Sequence, residues 1–424
     1  MRAVDFNQKA LVAQRSSTDT NCGNACQTKL TNGKIMKRRN KIIFLISGIF
    51  ILLLASTISF VFNPLGLGPE PDIVLSRDFF NEPAKDLSEL ELLVDGESAF
   101  GKVLSAIDAA RDSIYIQTYI WKDDQIGRLM VKKLKAAADR GVVVTIRKNV
   151  LGTVFELGDM LRGKPSPVFT SAGLKGHKNI NVDNDVFADT DHSKYFIVDR
   201  QVVIFGGMNI ADEYHKKWHD YMAAIRSKRW SEAFEQKAIR SVAWPTPSPF
   251  IVAVNDRNAT EIRTALIQII DHAAEHIIIE HAYFSDDKVI AAVKRAAMLG
   301  VRVDVILPQR PDTHIYANLV TINQLLETNS QNPPRIFLYP HMSHAKVFLT
   351  DGVIAAVGSA NLTPRSMLTS KELTVFVHGT KDDPFISELR SQLAADISKC
   401  EQVRAPFDLS FSEKIMAVAG KYIW

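Results

Sequence analysis

The chain has 424 residues, 46% hydrophobic and 23% charged, enough for one large globular core or two ordinary ones. Its three cysteines, Cys22, Cys26 and Cys400, exclude a disulfide framework, and Cys22 and Cys26 lack the His or Cys partners of a zinc site. The net charge of +4 is uneven: residues 1–69 hold nine Lys/Arg and two acids, a balance of +7, leaving 42 basic and 45 acidic residues, or −3, for the rest. Such a body is not a general polyanion binder, so no nucleic-acid partner is expected.

Residues 1–41 form a basic polar tail, expected to be disordered. From Ile42 to Phe62 the chain runs 21 residues without a charge, the length of a helix that crosses a bilayer core of roughly 30 Å. The apolar core of a cleaved signal peptide is usually shorter and nearer the terminus, so an uncleaved transmembrane anchor is expected. Lys37, Arg38, Arg39 and Lys41 precede the run, which sets the N-terminus in the cytoplasm and the body across a membrane, single-pass.

The body then repeats itself. A helical pattern at Phe100–Asp112 leads into the apolar strand pattern SIYIQTYIWKDD, Ser113–Asp124. A second helix ends in AAADRGVVVTI, where Gly141 suits the left-handed residue after a helix C-terminus. The same order recurs as Arg263–Glu275, then HIIIEHAYFSDD at His276–Asp287, then RAAMLGVRVDVIL with Gly300. Between the copies lies AWPTPSPF, whose prolines mark a linker at 243–250. The expected domains are therefore 80–242 and 251–424.

Each copy carries one short constellation. His192, Lys194, Asp199, Gly206 and Asn209 recur as His344, Lys346, Asp351, Gly358 and Asn361, every one displaced by 152 positions. Alternation along a strand puts each His and its Lys on one face. A Gly at the strand end lets backbone approach a ligand, and an Asn amide can donate to a ligand oxygen. One such copy is weak evidence. Two in a duplicated fold can meet across a pseudo-twofold axis, where two cations and two amides suit a phosphodiester and two imidazoles supply a nucleophile and an acid.

The duplicated HxKxxxxD with GGxN or GSxN resembles the phospholipase D superfamily over about Leu92 to His378. TYIWKDDQIG, GGMNIADEY, WHDYM and GSANLTPRS are most similar to bacterial cardiolipin synthase-type members. The resemblance implies two α/β halves, each a mixed β-sheet flanked by helices, related by a pseudo-twofold axis and preceded here by the transmembrane helix. It implies metal-free, cofactor-free chemistry through a phosphohistidine. His192 would attack phosphorus, and His344 would protonate the leaving alcohol and then activate the incoming one. Lys194, Lys346, Asn209, Asn361 and Ser359 would hold phosphate oxygens, and Asp220 and Glu372 would orient the imidazoles. Asp199 and Asp351 complete the catalytic motif but read as structural, in turns or core hydrogen bonds.

The leading function is a membrane phosphatidyltransferase that joins two phosphatidylglycerols into cardiolipin and releases glycerol. The alternatives are a phospholipase D hydrolase forming phosphatidic acid, a nuclease of the same superfamily and an inactive membrane scaffold. His215 and His219 could share a helix face, yet no HExxH glutamate or third ligand accompanies them, so no metal site is expected.

Overall fold

The structure, a computed structural model, describes residues 69–149, 174, 176–185, 190–256 and 258–423. The basic tail and the apolar run Ile42–Phe62 lie outside these residues. Among the described residues no helix is long and apolar enough to cross a membrane.

Two mixed sheets organise the chain. The first uses β1 (Leu90–Val94), β2 (Ser113–Thr118), β3 (Val143–Asn149), β4 (Ile180–Asp185), β5 (Tyr195–Val198), β6 (Val202–Gly206) and β7 (Tyr221–Arg226), in the order β1-β7-β6-β5-β2-β3-β4. The second uses β8 (Phe250–Asn255), β9 (His276–His281), β10 (Arg302–Pro308), β11 (Arg335–Tyr339), β12 (Lys346–Thr350), β13 (Ile354–Gly358), β14 (Glu372–His378) and β15 (Glu401–Val403). Its order, β15-β11-β10-β9-β12-β13-β14-β8, repeats the first strand for strand and adds β15 at one edge. Parallel pairing between strands is confined to β2-β3-β4 and β9-β10-β11, and the links from β2 to β3, β9 to β10 and β10 to β11 run through helices.

Alternation along the central strands builds three cores at once. Tyr195, Ile197, Val203, Phe205 and Ala223 face a core shared with Val347, Leu349, Ala355, Val357 and Val375 of the other sheet. Their neighbours Phe196, Val198, Ile204 and Ala224 face helices α1 (Asp95–Ala109) and α2 (Gln125–Asp139). Phe348, Ala356 and Phe376 likewise face α4 (Glu261–Asp271) and α5 (Asp287–Met298). Strands covered on both faces must be apolar throughout, which accounts for the continuous runs in the sequence. Gly141 and Gly300 take φ of +102° and +93°, as their place after a helix C-terminus requires.

One helix near the end of each half reaches the other half. Helix α3 (Lys228–Arg240) packs on β8, and α7 (Pro384–Lys399) packs on β1. Two more helices, α6 (Ile315–Leu326) and α8 (Phe411–Ile423), pair with each other beside the second sheet.

Backbone hydrogen bonds tie the two motif segments into the opposite half. The His192 N–H donates to Lys371 O at 2.8 Å, and the Lys371 N–H returns to Thr190 O at 2.8 Å. The His344 N–H donates to His219 O at 2.7 Å, and the His219 N–H to Met342 O at 3.0 Å.

The motif glycines make room for protein rather than ligand. Gly206 holds φ +152°, and a Cβ there would lie 2.5 Å from Tyr221 O; one on Gly358 would lie 2.4 Å from Leu373 O. Both glycines let the strand carrying the motif approach the strand that begins with Tyr221, just after Asp220, or with Glu372. Gly206→Ala is expected to lower the unfolding free energy by about 2 kcal/mol or more. Urea titration measures this, and an unchanged midpoint would show that β6 and β7 can separate freely.

Candidate active site

Each motif histidine is held by a carboxylate from the other half. His192 Nδ1 lies 2.9 Å from Glu372 Oε1, and His344 Nδ1 lies 2.7 Å from Asp220 Oδ2. The pairing crosses over because the backbone ties place His192 beside the residue before Glu372, and His344 beside the residue before Asp220. With Nδ1–H donated to a carboxylate, each imidazole keeps Nε2 for chemistry. Glu372 is further fixed by Ser359 Oγ at 2.5 Å and Ser366 Oγ at 2.7 Å.

The lysines close the site. Lys346 Nζ donates to His344 O at 2.6 Å and lies 3.2 Å from His344 Nε2. Lys194 Nζ donates to His192 O and sits over the Tyr119 ring, 5.6 Å from its centre. Burial pulls Lys194 down to about 7 and Lys346 down to about 8, because a cation loses its hydration there.

The two imidazole–carboxylate pairs differ in their protons. Burial, only partly offset by Glu372, pulls His192 down to about 4. Burial raises Glu372, but His192 and Lys194 outweigh it and leave the carboxyl below its ordinary range. That pair carries no exchangeable proton beyond the Nδ1–H at neutral pH. Burial also pulls His344 well below 6.5, while it pushes Asp220 up to about 7 against the pull of Lys346. The His344–Asp220 pair therefore keeps an extra proton up to neutrality.

Aromatic walls differ as well. Among the described residues His192 meets the Tyr119 ring, edge-on at 4.8 Å. His344 meets Tyr214 at 5.0 Å, Trp218 at 5.8 Å and Tyr283 at 6.4 Å. The His192 side chain is 18% exposed and that of His344 5%, so His192 is the more open to an incoming group.

Asn209 and Ser359, expected at phosphate oxygens, are placed differently, and Asp199 and Asp351 sit in turns. Asp199 and Asp351 stand at the far ends of β5 and β12. Asp199 accepts from the N–H groups of Arg111, Asp112 and Ser113, and Asp351 from those of Ala274, Glu275 and His276, all at 2.8–2.9 Å. Both have φ near +50° and act on the turns before β2 and β9, away from the imidazoles. Asn209 Nδ2 donates to Tyr214 OH at 2.8 Å while Oδ1 accepts from Ile120 N, so its amide braces the wall. Ser359 is engaged with Glu372. Asn361 stays near the second motif, its buried Oδ1 without a hydrogen-bond partner among the described residues.

A buried network behind His344 has no counterpart in the sequence expectations. His219 Nδ1 lies 2.6 Å from Asp95 and Nε2 3.0 Å from Asp396; Tyr221 OH donates to Asp396 at 2.7 Å, and Ser343 Oγ to Glu280 at 2.7 Å. Burial lowers His219, but Asp396 and Asp95 outweigh it and hold the ring up to about 10. His219, Glu280 and Asp396 offer ligand atoms within 4.8 Å of one another, yet both His219 nitrogens already face carboxylates, the arrangement of an imidazolium. The signal available in the sequence was Glu280, a lone acid in the apolar run HIIIEH, since a buried carboxylate needs a partner.

These placements separate turn residues from reacting ones. Asp351→Ala is expected to lower stability by about 2 kcal/mol through three unpaired N–H groups while turnover per folded molecule persists. His219→Ala is expected to cost about 3–5 kcal/mol, because it removes the imidazolium between the buried carboxylates of Asp396 and Glu280. Denaturant titration beside single-turnover rates checks both, and a dead but fully stable Asp351→Ala would return that residue to the chemistry.

Comparison with known proteins agrees with the geometry. A family described as "Cardiolipin synthase, PLD-like domain" matches residues 103–241 and 266–397, one segment per sheet and more than half of the chain. The chain is 29% identical over 353 residues to the cardiolipin synthase of Listeria innocua serovar 6a, covering 74% of this chain and 70% of that one. It is 26% identical over 364 residues to the cardiolipin synthase of Clostridium perfringens strain 13, covering 78% and 75%. Among solved structures it resembles a phosphatidylserine synthase of Haemophilus influenzae, with a TM-score of 0.63 at 12% identity, over 82% of this chain and 98% of that one. A polyphosphate kinase of Porphyromonas gingivalis matches with a TM-score of 0.52 at 14% identity, over 83% and 56%.

Proposed function

The chain belongs to the cardiolipin synthase PLD-like family and is an enzyme of the phospholipase D superfamily, and on that premise we propose that it is a membrane-anchored phosphatidyltransferase that makes cardiolipin from two phosphatidylglycerols. The observation that carries the reading is the crossed pairing of His192 with Glu372 and His344 with Asp220.

In the first half-reaction the Nε2 lone pair of His192 attacks phosphorus. The phosphorus–oxygen bond to the glycerol headgroup breaks, and the proton held by the His344–Asp220 pair passes to that oxygen. Glycerol leaves and a phosphatidyl-His192 remains. In the second, His344 takes the proton of a phosphatidylglycerol hydroxyl, whose oxygen attacks phosphorus and releases His192. Lys194 and Lys346 stabilise the charge on the non-bridging oxygens in both steps. The proton asymmetry supports this order: the neutral, more open His192 is the nucleophile, and the pair that keeps its proton is the acid. The apolar run Ile42–Phe62 and its basic flank support an anchor with the body outside the cytoplasm.

The test feeds the full chain phosphatidylglycerol in mixed micelles with EDTA and identifies products by mass spectrometry. Cardiolipin and glycerol are expected from the parent, and from neither His192→Ala nor His344→Ala. Phosphatidic acid instead would make the enzyme a hydrolase; turnover surviving both substitutions would sink the site. Glu372→Gln is expected to lose roughly 10³–10⁴-fold in rate, as a triad carboxylate does. The pH profile of kcat/KM is expected to fall below about 4, where His192 protonates, and above about 7, where the Asp220–His344 pair loses its proton and Lys194 its charge. A profile flat from pH 6 to 9 would contradict the assigned acid.

A further inference from the structure

Helix α8 leaves a row of large apolar side chains in the open. Phe411, Ile415, Val418 and Tyr422 are 80%, 54%, 60% and 40% exposed. Steps of four, three and four residues align them along one stripe of a helix. Ala417 is buried, and a Cβ on Gly420 would lie 3.9 Å from Ala317 and His314. The small residues of α8 thus face α6, and the large apolar ones face away from the protein. Isolated apolar side chains are ordinary on a surface, whereas a continuous stripe marks a contact.

The C-terminal end of this helix lies at an informative place. His314, whose Cα lies beneath Gly420, stacks its ring on Tyr283 at 4.4 Å, and Tyr283 meets His344 at 6.4 Å. Helix α8 therefore flanks the approach to the second motif. Lys421 Nζ bonds Asp287 at 2.5 Å, and the next residue, Lys288, bonds Glu70 at 2.9 Å. The uncharged run Ile42–Phe62 ends eight positions before Glu70, a tether of at most roughly 28 Å when extended. Lys414, exposed, borders the stripe and suits anionic headgroups.

We propose that α8 is a lipid-contact helix: its stripe enters the headgroup–acyl boundary of the bilayer and sets the Tyr283 and His344 side of the site against it. The inference rests on the reading of the substrate as a phospholipid and adds the surface that meets its bilayer. A lipid whose phosphate must reach His192 and His344 then travels along α8 from the membrane, with no passage through water.

The test uses the full chain, with Cys22, Cys26 and Cys400 replaced by Ser, in vesicles of phosphatidylglycerol and phosphatidylcholine. An environment-sensitive fluorophore goes on Ile415→Cys or Val418→Cys, and for reference on Ser412→Cys, off the stripe, or Ser391→Cys on α7. Lipid-borne quencher is expected to dim the two stripe sites roughly threefold and the reference sites hardly at all. Equal quenching at all four sites, no quenching, or cross-linking of stripe cysteines between two chains would overturn the proposal. A Phe411→Ser, Ile415→Ser, Val418→Ser variant is expected to turn over vesicle-borne phosphatidylglycerol roughly tenfold more slowly and short-chain, monomeric phosphatidylglycerol at the parent rate. Equal loss on both substrates would also overturn it. If the parent leaves even short-chain phosphatidylglycerol intact, the substrate reading fails by itself, and stripe-specific quenching still establishes the surface.

Discussion

The site depends on one exchange: each imidazole takes its carboxylate from the opposite half. Neither half alone holds a histidine in register, because His192 needs Glu372 and His344 needs Asp220. The groups sit where burial alone costs several kcal/mol per ion. At an effective dielectric near 20, an opposite charge about 4 Å away returns roughly 4 kcal/mol, so pairing and desolvation nearly cancel and backbone geometry decides which groups stay charged. The ties from His192 to Lys371 and from His344 to His219 supply that geometry. The shared apolar core then does more than stabilise, since it brings β7 and β14 to the opposite motif and buries the Asp220 and Glu372 carboxylates.

A duplication with perfect symmetry would give two interchangeable histidines and no preferred direction for a proton. The symmetry is broken by replacements at matched places. Behind His344 stands the buried Ser343–Glu280–His219–Asp396 network; behind His192 the matched link is an Asp191–Lys371 pair at 3.7 Å, nearer the surface. Among the described residues, the rings of Tyr214, Trp218 and Tyr283 surround His344 and that of Tyr119 meets His192. Gly207 leaves room for the Asp220 carboxylate, where Ser359 instead donates to Glu372. Each change moves charge or water at one histidine only. Together they leave an open, unprotonated imidazole facing a closed pair that keeps a proton.

How far this could be read from sequence follows from what repeats. The 152-residue displacement fixed the motif pairs, and the apolar strand runs and the glycines after helices gave the repeated α/β order. The acids were legible as well, since Asp220 and Glu372 each follow the motif Asn by 11 positions. Their exchange between halves was not, because spacing within one copy says nothing about which copy a strand faces. Asp199 and Asp351 belong to the motif by sequence, yet strand length carries them to the opposite end of β5 and β12. Asn209 looked like a phosphate donor because nothing in the sequence places Tyr214 OH against its amide. His219 read as one half of an i, i+4 pair, while its partners lie at 95, 280 and 396, beyond any local pattern.

The lysines connect this architecture to its substrate. Held near 7 and 8 by burial, Lys194 and Lys346 are cations that their surroundings only just tolerate. An anionic phosphodiester beside them restores the favourable field that hydration would have given, so binding draws both lysines toward full charge. The same charge strengthens the pull on the non-bridging oxygens when phosphorus is attacked. A neutral headgroup atom in that place returns nothing for the desolvation already imposed. The site thus selects a phosphoryl centre through the electrostatic deficit that burial creates, and the crossed carboxylates keep that deficit from being met by the histidines themselves.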